Sequence, residues 1–188
     1  MSGNNYIVLG ANGGIGSETC RLLRDAGCNV LLVGRNEEQL TSLGAELDCE
    51  YRVADATSLE QVDECFAEAS KQLGHVVGIL NCVGSVLLKP AHTTSPGEWN
   101  DTVATNLTSA FATVRAGSKI LRASGGAIIL MTTAAARIGL PNHEAIAAAK
   151  AGVIGLMHSA AASYAARGIR VNAVAPGLVK TGLTERIW

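Results

Sequence analysis

Short apolar runs alternate with longer amphipathic segments along almost the whole chain. Tyr6–Leu9 (YIVL), Cys28–Val33 (CNVLLV), Tyr51–Val53, Val76–Leu80 (VVGIL), Ala127–Met131 (AIILM) and Ile169–Val174 (IRVNAV) read as six strands. Runs of this length, rich in Val, Ile and Leu, suit strands covered on both faces. Helical patterns run between them over Ile15–Ala26, Glu37–Leu47, Leu59–Leu73, Glu98–Leu121 and Glu144–Ala166. Ile15, Leu22 and Leu23 are the apolar positions of the first helix. Leu40, Leu43 and Leu47 make one face of the second at i, i+3 and i+7. Ser58 is a candidate N-cap of the third. Strand–helix alternation throughout predicts a parallel sheet with right-handed crossovers. No repeat, low-complexity tract or linker interrupts the pattern, so a single domain over residues 1–188 is expected.

Composition narrows the function. The chain has 188 residues, 48% apolar and 16% charged, enough for a real core and too apolar for disorder. A net charge of −1 gives no basic field for nucleic acid or an anionic membrane. Scarce aromatics argue against a base-stacking platform. The five cysteines are odd in number and form no CxxC pair, so neither a disulfide framework nor a zinc site is expected and no metal is assigned. Reduced thiols, no signal-peptide pattern and no apolar run long enough to span a bilayer give a cytoplasmic protein as the default, with no membrane partner.

Directly after the first strand comes Gly10-Ala11-Asn12-Gly13-Gly14-Ile15-Gly16. Closing a strand and opening a helix gives this pattern its meaning as a dinucleotide site. Gly10 permits the sharp turn, Gly14 lets backbone approach a pyrophosphate, and Gly16 lets the helix pack closely. Asn12, Gly13 and Ile15 belong to the same cradle, and the helix N-terminus offers N–H groups to phosphate. The end of the second strand carries Gly34 and Arg35 where an acid would favour NAD(H). A guanidinium matches a 2′-phosphate, so NADP(H) is expected in preference to NAD(H). Arg35 as a solvated loop charge, or stacked on adenine in either cofactor, stays open.

The spacing Gly10-xxx-Gly14-x-Gly16 resembles the cofactor motif of short-chain dehydrogenases/reductases, particularly the 3-oxoacyl-ACP-reductase-like members, and the resemblance covers nearly the whole chain. Asp55 matches the family's aspartate near adenine, and Asn81-Cys82-Val83-Gly84 resembles its Asn-Asn-Ala-Gly. Asn106 in TVATNLTSAF matches the asparagine of the long fourth helix. VNAVAPGLVKT resembles the motif after the sixth strand, with Pro176, Gly177 and Thr181 near nicotinamide and phosphate. The resemblance implies a Rossmann-type doubly wound parallel sheet in three α/β/α layers, with strand order 3-2-1-4-5-6. It also implies a cofactor site that includes Asn81, Val83, Gly84 and Lys150.

The family transfers hydride between nicotinamide and a carbonyl or alcohol. Its general acid is a tyrosine four residues before a lysine, which puts both side chains on one helix face. Lys150 in AIAAAKAGV matches the lysine, and Thr133 matches the serine or threonine that bonds the substrate oxygen; its neighbour Thr132 stays open. Lys150, Thr133 and Asn106 are the expected catalytic set. The tyrosine position holds Ile146, which has no proton to give. Tyr164 is roughly 21 Å along the helix from Lys150, Glu144 points about 120° away, and His143 lies nearly on the same face about 10 Å along the axis. His143 as a replacement acid, against a capping or surface histidine, is open at this stage.

Two functions follow: an NADP(H)-dependent oxidoreductase for a small carbonyl or alcohol whose identity is unreadable, or an NADP(H)-binding protein with a regulatory or partner-subunit role. Family members continue past the Pro-Gly segment with a substrate-covering loop, more helices and a last strand. A chain stopping at Trp188 is expected to be a shortened member or to have its site completed by a partner chain, with the sixth strand an exposed edge. In the family the two long helices form the dimer face. Ala147, Ala148, Ala151, Gly152 and Gly155 would allow close approach in a homodimer or tetramer, or would serve packing on the sheet.

Overall fold

The computed structural model describes residues 3–187; Trp188 lies outside the described residues. Six parallel strands make one sheet: β1 Asn5–Leu9, β2 Asn29–Gly34, β3 Tyr51–Val53, β4 Val76–Asn81, β5 Gly126–Met131 and β6 Ile169–Val174. Their order is β3-β2-β1-β4-β5-β6, the doubly wound arrangement, with β3 and β6 at the edges among the described residues. The helices are α1 Gly14–Asp25, α2 Glu37–Leu47, α3 Leu59–Leu73, α4 Pro96–Val103, α5 Ser109–Ile120 and α6 Glu144–Tyr164.

Side chains alternate across the sheet because strand periodicity is two. Ile7, Leu9, Leu31, Val33, Ile128 and Leu130 enter one core with Val62 and Phe66 of α3 and Val153 of α6. Val8, Val30 and Leu32 enter the other with Cys20, Leu40 and Leu43 of α1 and α2. The α1–α2 layer covers the β1–β3 half. On that same face β6 presents exposed Arg170 and Asn172, in alternation with buried Ile169 and Val171.

Caps follow the sequence. Ser58 accepts from the Gln61 N–H at the start of α3, and Ser95 and Glu98 form a reciprocal capping box on α4. Three expectations need correction. Leu22 is 62% exposed: the buried line of α1 is Gly16 and Cys20, with Leu23 packed at its end. The segment Glu98–Leu121 is not one α-helix, because a π-helical turn at Ala104–Thr108 separates α4 from α5. Such a turn widens the backbone ladder by one residue and is frequent at functional sites.

The third correction concerns apolar length. The helical stretch Glu144–Arg167 is long and apolar enough to cross a bilayer by length and composition. Its hydropathy comes from its many alanines together with Ile146, Val153, Ile154, Leu156 and Met157. Ala145, Ile146, Ala149, Lys150, Val153 and Ala160 are buried along it, as in the core helix of a globular domain.

Gly16 shows how tightly the first turn is built. A Cβ there would collide with the Gly10 carbonyl oxygen, a backbone atom that cannot step aside. Gly16→Ala is expected to lower stability in urea melts by about 1–3 kcal/mol. Gly97→Ala, where nothing lies within 4 Å of the added carbon, is the control.

Candidate functional site

The carboxyl ends of the strands open into two cavities of about 260 and 270 Å³ that share Cys82, Val83 and Gly84 as a common wall. Ligands in open α/β sheets bind at such a crevice, where neighbouring crossovers leave on opposite faces.

The first cavity is lined by Gly10, Asn12 and Gly13 of the first turn, Arg35 after β2, Asp55 after β3, and Val83 and Gly84 after β4. Gly10 has φ +69°, and a Cβ on it would lie 2.9 Å from the Val83 nitrogen, so only glycine turns the chain this close to β4. Asn12 donates to the Gln39 side chain at 2.7 Å, and its oxygen occupies the space beside Gly34. An acidic side chain at Gly34 would displace Asn12. Asp55 accepts from the Thr57 N–H and hydroxyl at 2.9 and 2.8 Å. Partial burial raises its pKa, but those two bonds and the Arg35 charge outweigh burial and hold the carboxyl below its ordinary value. Arg35 is exposed at the rim.

The second cavity gathers Ile15, Asn106, Thr132, Thr133, His143, Ile146, Lys150, Pro176, Gly177 and Thr181. Lys150 is 6% exposed, and its Nζ donates to the Met131 carbonyl at 2.9 Å. Burial pushes its amine down to about 8, because charge is poorly solvated there. The Thr132 hydroxyl donates to the Lys150 carbonyl at 2.9 Å, tying β5 to α6. Thr133 faces the cavity and accepts from the Ala135 N–H at 3.3 Å, which leaves its proton to donate elsewhere. Both threonines line the cavity, Thr132 bonded to α6 and Thr133 to its own following turn.

Asn106 lies in the π-helical turn and is buried. Its amide donates to the Ser85 hydroxyl and the Thr102 carbonyl, both at 2.9 Å, and its oxygen accepts from the Ser85 N–H at 3.2 Å. It thus holds the loop after β4 against the helix. Gly84 beside it has no room to grow: a Cβ would lie 3.2 Å from the Asn106 oxygen and 3.6 Å from Lys150 Nζ.

Some expected site residues lie behind the cavity walls. Asn81 is buried, donates to the Thr113 hydroxyl at 2.9 Å and accepts from the Val83 N–H at 2.8 Å, so it shapes the turn. A Cβ on Gly14 would meet the Thr181 methyl group at 2.6 Å. Gly14 therefore lets the segment after β6 lie over the start of α1. Ser85 and Thr113 were missed by sequence reasoning, and Cys82 was read only as part of the Asn81–Gly84 segment, with no role of its own. Burial pushes the Cys82 thiol up to about 11. Nothing in their local pattern marks these residues, since each acts through a partner at least twenty residues away or through its place in the wall. The apolar rim residues Val86, Leu140, Leu178, Val179 and Leu183 were also missed, and all are well exposed.

Outside the second cavity, next to His143, Lys89 links three segments. Its N–H donates to the Asn142 carbonyl at 2.8 Å, and its ammonium lies 2.8 Å from both Glu98 oxygens. That bond, with those from Ser95, holds the Glu98 carboxyl down to about 2. Asn142 takes φ +62°, and His143 follows as the N-cap position of α6 with no side-chain cap bond.

A family profile described as enoyl-(acyl carrier protein) reductase matches residues 10–188. A D-threitol dehydrogenase of Mycolicibacterium smegmatis is 33% identical over 199 residues, covering 100% of this chain and 75% of the relative. A 3-oxoacyl-[acyl-carrier-protein] reductase of Rickettsia bellii is 33% identical over 191 residues, covering 100% and 77%. The solved structure of a short-chain type dehydrogenase/reductase from Mycobacterium ulcerans superposes with TM-score 0.94 at 27% identity, covering 100% of this chain and 72% of that one.

The buried amine has a measurable cost. The folded chain binds the Lys150 proton less tightly than the unfolded chain does, so Lys150 opposes folding most below about pH 8. That opposition fades as pH rises to the ordinary lysine value of 10.5. Lys150→Met is expected to be more stable than wild type at pH 7. In urea melts the gap narrows by about 2 kcal/mol between pH 7 and pH 9.5.

Proposed function

Because the chain belongs to the short-chain dehydrogenase/reductase family, whose members are oxidoreductases that bind NAD or NADP, we propose that it is an NADP(H)-dependent enzyme interconverting a small carbonyl and its alcohol. The observation that carries this reading is the pair of cavities joined at Cys82–Gly84. A glycine cradle and Arg35 stand at one end, and Lys150, Asn106 and Thr133 at the other. The cradle fits a dinucleotide on its own geometry: Gly10, Asn12 and Gly13 line the first cavity directly before the start of α1, with Arg35 and Asp55 on its other side.

When bound, a nicotinamide dinucleotide supplies or accepts hydride. The remaining tasks fall to the chain. The start of α1 presents N–H groups to the pyrophosphate, and Arg35 neutralises the 2′-phosphate. Lys150 holds the nicotinamide ribose. Thr133 donates to the substrate oxygen. Asn106 keeps the cavity open by fixing Ser85. The exposed apolar rim favours a substrate with an apolar body around its carbonyl.

Ile146 favours a second reading, a dinucleotide-binding subunit without turnover. It occupies the helix position, four before Lys150, where the family keeps its proton donor. NADPH binding without turnover, with activity appearing in Ile146→Tyr, supports the second reading; wild-type turnover supports the first. A second copy of the chain is proposed to pack on α5 and α6. There Ala148, Ala151 and Gly155 are exposed, whereas Gly152 is filled internally by Leu107.

Arg35→Ala is expected to weaken NADPH binding about 10–100-fold, the loss of one or two charge-assisted bonds, while NADH binding changes little. Calorimetric titration with both nucleotides checks it. Equal losses for the two would remove the preference for NADP(H).

A further inference from the structure

His143 does none of the things expected of a bland N-cap histidine. Its side chain makes no cap bond to the start of α6. It is half-buried and lines the same cavity as Thr133, Ile146 and Lys150. Its Nδ1 lies 2.7 Å from the Pro141 carbonyl oxygen. A carbonyl can only accept, so Nδ1 carries hydrogen and the tautomer is fixed. The other ring nitrogen, Nε2, has no protein partner among the described residues. His143 stands three positions before the buried Ile146, and both line the cavity at the start of α6.

We infer that His143 is the proton donor of the reaction, delivering from Nε2 the proton that Ile146 cannot supply. This rests on the oxidoreductase reading above and names the acid that the reading lacks. In the reducing direction the carbonyl carbon accepts hydride and the C=O π bond breaks. The oxygen then takes the Nε2 proton. The dihydronicotinamide is oxidised, the carbonyl is reduced, and imidazolium becomes neutral imidazole. Water at the open mouth returns the proton. The bond from Nδ1 to Pro141 persists through both states, so the ring stays aimed while Nε2 cycles.

The surroundings suit this role. Lys150 is the one lysine or arginine lining the cavity among the described residues, and its ammonium is engaged by the Met131 carbonyl. Glu144 follows His143 on α6. Lys89, across Asn142, is neutralised by Glu98. An apolar neighbour such as Ile146 strengthens charge-assisted bonds to a substrate oxygen by excluding water.

The test uses the whole chain with NADPH and a panel of short 3-oxoesters, cyclic ketones and aldehydes. His143→Ala is expected to lower kcat by about 10²–10⁴-fold while the NADPH Kd stays within about twofold. Wild-type reduction should fall on the alkaline side as the acid form is lost, and that limb should vanish in the variant. Adding Ile146→Tyr to His143→Ala should restore turnover. Independently of activity, ¹⁵N NMR of the chain without ligand should show the His143 ring protonated at Nδ1. An Nε2–H tautomer, an unchanged kcat and pH profile in His143→Ala, or no wild-type turnover despite NADPH binding overturns the inference. Failure of wild type to bind NADPH overturns the reading beneath it.

Discussion

At the centre of the sheet, β1 and β4 meet backbone to backbone at their carboxyl ends. The Cys82 N–H donates to the Leu9 carbonyl at 2.9 Å, and Gly10, the residue after β1, leaves no room for a Cβ against Val83. That approach fixes much else. It brings the start of α1 over the end of β4, and it makes Cys82–Gly84 a wall with a cavity on each side. Asn81 sustains it from behind by holding the Val83 N–H and anchoring to Thr113 on α5. A side chain at Gly10 would therefore disturb both cavities at once, including the distant Lys150 end.

The Lys150 end illustrates a conflict between folding and chemistry. The amine is enclosed by the Met131 carbonyl, Gly84 and Cys82, where a methionine would sit more comfortably. Folding tolerates it because Thr132 and the Met131 carbonyl supply polar links between β5 and α6 in an otherwise apolar seam. Retaining an ionisable group against its own desolvation is the mark of a site shaped for something other than stability.

Much of the fold was legible in the chain. Strand runs were short, apolar and separated by helical periods, and all six appear with boundaries shifted by a residue or so. What was hidden depended on contacts between distant segments. The π-helical turn cannot be read from TVATNLTSAF by periodicity, because it is stabilised by Asn106 bonding Ser85 on another loop. Leu22 looked like core from its type, yet small residues, Gly16 and Cys20, are what the close-packed α1 buries. At the site, glycine spacing and the Lys150 context placed most residues near the two cavities. The different bonding of Thr132 and Thr133 needed the backbone of α6. The orientation of His143 needed the Pro141 carbonyl, which no spacing rule encodes.

The corner that carries His143 is held from outside. Lys89 grips Asn142 through its backbone and Glu98 through its ammonium, and the capping box pins Glu98 to α4 in turn. Asn142 sits in left-handed backbone, a conformation that isolated chains visit rarely. The conformation of this corner is therefore fixed by partners on two other segments, the loop of Lys89 and α4. A corner tied in this way presents Leu140 and His143 to the cavity in a shape set by contacts outside it.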